Sequence, residues 1–356
     1  MSLDPGDFLA VACQMDTVDG AVGQNLKQMV TMIDWAMEGY SALGVPVRLI
    51  VFPELAIHGS VGATYADKRR HAIELPGPEI EELAEKARTH GVYLVAGTVF
   101  EYEPEYDAVF NTLVMLAPSG EIALRYRKVN VWYPLETTQS PIDLLGEGYD
   151  TARFPLFPVA HTEIGTIGGL ICYDGFFPEV TRQLAAEGAE IFVRASAIMD
   201  PWGSGPTGAS VMTDRMRSLE NLAYTVSAQR GSSPRTGPPF SWPGRSSIVD
   251  FEGRVLSEAE RGEEIIMARI DANRVRAYRE SVLGGNMLAH NRTEAYDYLT
   301  RPGPGPRPRL STGRTVSETE HFATAREQND AYWAGYYERD PFWRRRRDLA
   351  ARERDA

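Results

Sequence analysis

The sequence predicts an α/β fold, in which strands and helices alternate along the chain. An apolar run of strand length at Phe8–Cys13 is followed by apolar residues at helical spacing over Asn25–Tyr40. Strand-like runs flank Pro118-Ser119-Gly120, and a second pair meets at Glu252-Gly253, so two hairpins accompany the alternation. This combination is typical of an α/β sandwich, in which helices cover sheets.

Each element of the first half follows from its own pattern. The first strand is continuously apolar, and the helix after it places Leu26, Met29 and Ile33 on one face. A strand through Val51 then closes a βαβ unit. The elements that follow are a helix near 79–89, a strand at 92–100 and hairpin strands at 112–116 and 122–124.

The same alternation resumes in the second half of the chain. A strand runs into Cys172, and a helix begins at Pro178. The later elements are a strand at 191–193, a helix at 214–222, a strand at 224–228 and a hairpin with strands at 246–250 and from 255 onward.

Length and composition limit the classes of function. A chain of 356 residues, 43% hydrophobic, can bury a large core and predicts one sizeable domain plus an extension. The formal net charge of -12 argues against nucleic-acid binding, which needs concentrated positive charge. Two cysteines provide no disulfide framework, and neither a signal peptide nor a membrane-spanning apolar run is evident, so we expect a soluble cytoplasmic protein.

One cysteine stands where a nucleophile is expected. Cys172 ends an apolar run and precedes a turn and a helix start, where backbone amides favour a thiolate and hold an oxyanion. A core thiol is the alternative interpretation, and it is the one that we adopt for Cys13 inside the first strand.

Two other segments carry groups that suit the same chemistry. Glu54 ends the apolar run Leu49–Pro53, where partial burial would raise its pKa for proton transfer, although a surface carboxylate is the simpler interpretation. Lys128 follows a basic strand end, where its charge would stabilise an oxyanion; a solvated basic turn is the alternative.

Together these segments resemble the nitrilase superfamily of carbon–nitrogen hydrolases, which carries a Glu–Lys–Cys triad on three motifs. The motifs fall on Phe52-Pro53-Glu54, Arg127-Lys128 and the run from Cys172 to Glu179. The resemblance implies Glu54 as general base, Lys128 as oxyanion stabiliser and Cys172 as nucleophile. It also implies a four-layer αββα sandwich. No cofactor is expected, and no bound metal is expected because the six histidines include no pair at metal-ligand spacing.

Within that superfamily the chain is most similar to the aliphatic amidase and formamidase branch. That branch has a second active-site glutamate eight positions after the triad lysine, and Glu136 stands eight after Lys128. A Gly-Tyr pair that helps to close its acyl pocket is replaced here by the stretch 197–202. The residues expected to contact the substrate are Trp132, Tyr133, Tyr173, Arg194 and Ala195.

The expected activity is hydrolysis of a small or medium carboxamide by water, through a Cys172 thioester, to acid and ammonia. A nitrilase or N-carbamoyl-amine hydrolase of the same superfamily is the alternative. A catalytically silent scaffold is a further one, although a scaffold requires none of the four residues Glu54, Lys128, Glu136 and Cys172. His58 is expected to structure the loop after Glu54 rather than bind a metal.

The last part of the chain differs in composition from the rest. We expect a catalytic domain over 1–272 and a C-terminal arm over 273–356, because a Pro- and Gly-rich stretch and a polar run follow. The resemblance implies homo-oligomers with C-terminal arms that reach across interfaces, so the aromatic residues of this arm are expected to pack on a neighbouring subunit; packing on the chain's own core is the alternative. The run Arg344–Arg347 is interpreted as a solvated or ion-paired face rather than a membrane or nucleic-acid site.

Overall fold

A computed structural model describes residues 6–40, 44–62, 64–132, 136–199, 208–232, 242–296, 299 and 318–337. The strands within these ranges are β1 Phe8–Gln14, β2 Val47–Val51, β3 Tyr93–Glu103, β4 Ala108–Leu116, β5 Ile122–Arg127, β6 Val159–Thr162, β7 Gly165–Ile171, β8 Ile191–Ser196, β9 Tyr224–Gln229, β10 Ser247–Val249, β11 Val255–Glu258 and β12 Glu264–Ile270. The α-helices are α1 Val22–Tyr40, α2 Tyr65–His71, α3 Pro78–His90, α4 Pro178–Ala186, α5 Ala209–Asn221, α6 Ala272–Ser281 and α7 Glu318–Tyr337. Short 3-10 helices lie at Pro141–Glu147, Cys172–Phe176 and Thr293–Ala295.

The strands form two mixed sheets of six. The first has the order β12-β1-β2-β3-β4-β5 and the second the order β11-β10-β9-β8-β7-β6. In each sheet three adjacent strands are parallel, β1 to β3 in one and β7 to β9 in the other, and the outer strands pair antiparallel. The helical crossovers between parallel strands therefore cover the faces of the sheets.

Alternating side chains on β1 show how the layers stack. Ala10 and Ala12 face a core shared by both sheets, whereas Leu9, Val11 and Cys13 face the helices α1 and α3. A separate apolar cluster joins α4 to the outer face of the second sheet. The predicted four-layer αββα sandwich is confirmed. Cys13 is fully buried, and burial raises the pKa of its thiol.

Several elements do not follow from hydrophobic pattern alone. Helix α2 is strongly polar, and it forms because Thr64 and Asp67 make a capping box while Tyr65 and Lys68 are buried. The strands β6 and β12 are edge strands of their sheets, and pairing with β7 and β1 determines them. Helix α5 begins at Ala209, five residues before the predicted start at 214.

Helix α6 is the first element of the C-terminal segment. Val275 packs into the core between the sheets, and Arg279 donates to the carbonyls of Ala189, Asn221 and Leu222. In α7 the rings of Tyr332 and Trp333 meet edge to face and are exposed. The predicted Arg344–Arg347 face, with Phe342 and Trp343, lies outside the described residues. No helix among the described residues is long and apolar enough to span a bilayer.

Candidate active site

The carboxyl ends of strands from both sheets meet at one edge of the sandwich. Glu54 lies three residues after β2, Lys128 directly follows β5, and Cys172 directly follows β7. The carboxyl ends of parallel strands are where α/β proteins place their ligand sites. The fold therefore brings together three motifs that lie more than 40 residues apart in the chain.

Glu54 is buried and has fixed partners on both oxygens. Its Oε1 accepts hydrogen bonds from Lys128 Nζ at 2.9 Å and from Asn111 Nδ2 at 2.9 Å. Its Oε2 accepts from the backbone N–H of Ala197 at 3.1 Å, which comes from the end of β8 in the second sheet. The carboxylate thus spans the two sheets and cannot rotate freely.

The turn that carries Glu54 depends on a glycine in the neighbouring strand. Leu55 has φ +61°, and its N–H donates to Thr98 Oγ1 at 3.0 Å. A side chain at Gly97 would place its Cβ 2.0 Å from the Pro53 carbonyl oxygen, and Gly97 itself has φ +74°. Only glycine therefore permits β3 to approach the backbone beside Glu54 so closely.

Lys128 is fully buried between two carboxylates. Its Nζ donates to Glu54 Oε1 at 2.9 Å and to Glu136 Oε1 at 2.5 Å. Burial disfavours the ammonium, but the charges of Glu136 and Glu54 outweigh it and raise the pKa of Lys128 above its ordinary value. Lys128 therefore remains protonated across the physiological range.

Glu136 forms the third member of this ionic group. Its Oε2 accepts from the backbone N–H of Trp132, and its Oε1 lies 3.5 Å from Asn111 Nδ2. Burial raises the pKa of Glu136 and Glu54 adds to the rise, although the Lys128 ammonium opposes it. Glu54, Lys128 and Glu136 therefore form one ionic group.

Cys172 stands on a strained elbow between β7 and a 3-10 helix. Its φ of +45° is unusual for a residue with a side chain, and such strain persists only where the surroundings hold it. Asp174 supplies part of that support, because its carboxylate accepts from Tyr126 Oη at 2.8 Å and Asn130 N at 3.0 Å. Burial, followed by the charge of Glu54, raises the pKa of the Cys172 thiol to about 12.

Arg194 lies beneath this elbow and is fully buried. Its Nη2 and Nε donate to the Cys172 carbonyl at 2.6 and 3.2 Å, while its Nη1 pairs with Asp214 Oδ1 at 2.6 Å. A Cβ at Gly175 would lie 2.4 Å from the guanidinium carbon, so a side chain there would displace the Arg194 guanidinium. Arg194 therefore holds the backbone of the cysteine rather than lining the cavity beside it.

An apolar cavity opens beside Cys172. Trp132 and Tyr173, two of the candidates for substrate contact, line it. Ala195 is buried in the core between the sheets, and Tyr133 lies outside the described residues. The other described lining residues, apart from Cys172, are Phe176, Ala197, Ile198, Met199 and Ala209.

A profile of the carbon–nitrogen hydrolase family matches residues 9–280. The chain belongs to this family. It is therefore a hydrolase that acts on carbon–nitrogen bonds, and the resemblance to the nitrilase superfamily is confirmed.

The family assignment agrees with known relatives and solved structures. A formamidase of Bacillus thuringiensis (strain Al Hakam) is 29% identical over 255 residues, which cover 70% of this chain and 68% of the relative. Nit3 of Saccharomyces cerevisiae, from the nitrilase superfamily, superposes with a TM-score of 0.65 at 24% identity, over 78% of this chain and 95% of Nit3. An amidase from Nesterenkonia AN1 superposes with a TM-score of 0.60 at 18% identity, over 82% of this chain and 97% of the amidase.

Sequence reasoning missed one polar residue of the hydrolase site, Asn111. It lies in β4 and donates to Glu54 and Glu136, and its carbonyl accepts from Lys128 N at 2.9 Å. An amide between the apolar runs Ala108–Phe110 and Leu113–Leu116 was the available signal, because a buried polar side chain needs a partner.

His58 lies in the loop after Glu54 and is buried beside Phe100. Neither ring nitrogen has a hydrogen-bond partner among the residues that the structure describes, and burial lowers the pKa of His58 to about 4. Among the described residues, no cluster of His, Cys, Asp and Glu side chains has the arrangement of a metal site.

Proposed function

We propose that this hydrolase is a thiol amidohydrolase that converts a carboxamide to a carboxylic acid and ammonia. The observation that carries the proposal is the Lys128 ammonium, held between Glu54 and Glu136 at the sheet edge where Cys172 lines an apolar cavity. This arrangement combines a proton acceptor, an oxyanion stabiliser and a nucleophile, as hydrolysis of an amide requires.

The first step is attack by sulfur on the amide carbon. With a pKa of about 12, the Cys172 group is a neutral thiol at pH 7 and requires a base. Glu54 accepts the thiol proton as the C–S bond forms and the carbonyl π electrons move to oxygen. The Lys128 ammonium and the N–H of Tyr173 stabilise this oxyanion, and one such donor is worth about 3 kcal/mol.

The second step releases the amine, and the third releases the acid. The protonated Glu54 gives its proton to nitrogen, the C–N bond breaks, and ammonia leaves a thioester on Cys172. Water then attacks the thioester carbon and transfers a proton to Glu54. When the C–S bond breaks, that proton returns to sulfur, so the acid departs and the enzyme is restored.

Glu136 acts through orientation in this scheme. Its carboxylate is bound by Lys128 and by the backbone of Trp132, a residue that lines the cavity. A carboxylate fixed in that place accepts a hydrogen bond from the amide nitrogen or from the attacking water. It thereby positions the group that reacts without serving as a second base.

The test is ammonia release by the purified protein from a panel of amides, nitriles and carbamoyl compounds. Cys172→Ala is the inactive variant, and Cys13→Ala is its matched control because Cys13 is the other free cysteine and lies in the core. We expect the wild type and Cys13→Ala to hydrolyse carboxamides but not nitriles or carbamoyl compounds, and we expect Cys172→Ala to hydrolyse none of them. Mass spectrometry of acid-quenched enzyme should find an acyl group on the peptide that contains Cys172.

Three outcomes would redirect the proposal. Turnover of nitriles alone, or of carbamoyl compounds alone, would assign the chain to one of those activities. Equal ammonia release from wild type and Cys172→Ala would refute the thioester mechanism. Silence of the wild type on the whole panel would favour a scaffold.

We further propose a cytoplasmic homo-oligomer, with a catalytic unit over 1–272 and an arm over 273–356 that stabilises assembly. The reactive thiol requires a reducing compartment, and exposed Tyr332 and Trp333 offer an apolar contact surface. Light scattering after size exclusion should give a mass of at least two chains. Trp333→Ser should lower that mass, and a monomeric wild type would refute the arrangement.

A further inference from the structure

We propose that the substrate is an uncharged amide whose acyl group is apolar and about four to eight carbons long. This inference rests on the proposed amidohydrolase function and narrows its substrate class. It follows from the size, the lining and the charge balance of the cavity beside Cys172.

The cavity is larger than the smallest amides need. Its volume is about 340 Å³, at the lower end of the range of small-molecule sites. At roughly 30 Å³ for each water-sized group, it holds on the order of ten non-hydrogen atoms. Formamide has only a hydrogen on its carbonyl carbon and would leave most of this volume filled by water.

The described lining of the cavity is mostly apolar. Phe176, Ile198 and Met199 contribute aromatic and aliphatic surface, with Ala209 at the start of α5. Tyr173 packs against the rings of Phe176 and Phe177, with centroid distances of 5.9 and 5.0 Å, which fixes the aromatic wall. An apolar acyl chain that replaces water here gains the free energy of burial.

The nearby charges are already paired with each other. Lys128 is bound by Glu54 and Glu136. Arg194 is bound by Asp214 and the Cys172 carbonyl, while Arg217 pairs with Glu220 and donates to the Gly175 carbonyl. Among the described residues, no charged side chain lines the cavity. A carboxylate or ammonium on the acyl group would lose its hydration without gaining a partner.

The test is kcat/KM of the wild-type enzyme for formamide, acetamide, butyramide and hexanamide, with succinamate as the charged analogue of butyramide. We expect kcat/KM to rise by about fourfold for each added methylene, the factor that corresponds to burial of one CH2 group. Succinamate should be at least about 100-fold poorer than butyramide, because its carboxylate would be buried unpaired.

Two variants locate the effect in the cavity. Ala209→Leu fills part of the cavity. The preference for hexanamide over acetamide, expressed as the ratio of their kcat/KM values, should fall by about tenfold or more. Met216→Leu is the matched control, since Met216 lies on the same helix but is exposed and outside the cavity lining, and its ratio should stay at the wild-type value. Thermal melts show whether each variant is folded, and Ala209→Val supplies a smaller step of the same kind.

Failure of this inference is distinguishable from failure of the proposed function. A wild-type enzyme that hydrolyses amides but prefers formamide, or that accepts succinamate as well as butyramide, overturns the inference and keeps the amidase. A ratio unchanged in Ala209→Leu also overturns it. Silence on every amide refutes the proposed function itself.

Discussion

Replacement of Arg194 by methionine separates support of the cysteine elbow from direct contact with substrate. Methionine fills much of the volume of the arginine stem but supplies no donor. The substitution therefore removes the pairing to Asp214 and both hydrogen bonds to the Cys172 carbonyl.

The structure sets the size of the effect. Arg194 is 0% and Asp214 is 1% exposed, so loss of the guanidinium leaves a buried, uncompensated carboxylate, which costs about 3–5 kcal/mol. The Cys172 carbonyl also loses two donors, and an unsatisfied buried acceptor costs about 1–3 kcal/mol. We expect Arg194→Met to lower the free energy of unfolding by about 4 kcal/mol or more.

A double-mutant cycle with Asp214→Asn tests the assignment. Asparagine removes the buried charge, so the double variant should be more stable than the two single costs would predict, with a coupling energy of about 1.5 kcal/mol or more. The free energy of unfolding is measured by urea titration with tryptophan fluorescence. Arg153→Met is the control, because Arg153 and Glu105 form an exposed pair worth at most about 1 kcal/mol.

Catalysis is the second readout. Cys172 keeps its φ of +45° against a strain of about 1–3 kcal/mol, and without Arg194 the elbow can relax. We expect kcat for butyramide to fall by at least about tenfold in Arg194→Met while the protein is still folded. If Arg194→Met unfolds at the same urea concentration as Arg153→Met and keeps the wild-type kcat, the reasoning is refuted.

Three further predictions follow from buried groups near the site. Between pH 6.5 and about 4 the unfolded chain binds a proton on His58 that the folded chain does not bind, so the free energy of unfolding should fall by about 3 kcal/mol in acid. His58→Leu should remove that loss in urea titrations at pH 7 and 4.5, and an equal loss in the variant would contradict the prediction. Alkylation of Cys172 by iodoacetamide should accelerate about tenfold per pH unit from pH 7 to 10, because its pKa is about 12; a plateau below pH 8 would show a stable thiolate. Asn111→Ala removes a donor to the Glu54 carboxylate, a bond worth about 1.5–3 kcal/mol, so kcat should fall by about 10- to 100-fold with ammonia release as the assay; wild-type activity would exclude a role in positioning.

Much of the fold was predictable because the spacing of apolar residues along the chain indicates which face of a helix or strand is buried. The apolar strand at 8–13 and the amphipathic helix after it were predicted within a few residues of the observed β1 and α1. Helix α2 was not, because its stability comes from the Thr64–Asp67 capping box and from the burial of Tyr65 and Lys68 by neighbouring elements. Edge strand β6 depends in the same way on pairing with β7.

The candidate site divides along similar lines. Glu54, Lys128 and Cys172 could be identified in the sequence because each ends a strand within a recognisable motif, and the structure brings Glu54 and Lys128 to 2.9 Å. Arg194 could be found by resemblance, but its contact with the Cys172 carbonyl depends on the packing of β8 beneath the elbow. The motif in β8 does not indicate the direction in which the Arg194 side chain points.

By itself the sequence predicted an α/β fold, because periodicity is a property of neighbouring residues, while motifs that resemble the nitrilase superfamily implied the αββα sandwich and the candidate roles of Glu54, Lys128 and Cys172. Only the tertiary structure decided that Asn111 joins the two carboxylates, that Arg194 supports the elbow, and that apolar residues from several separate segments form one cavity. Those contacts join residues distant in the chain, and their geometry depends on how two sheets pack across a shared core.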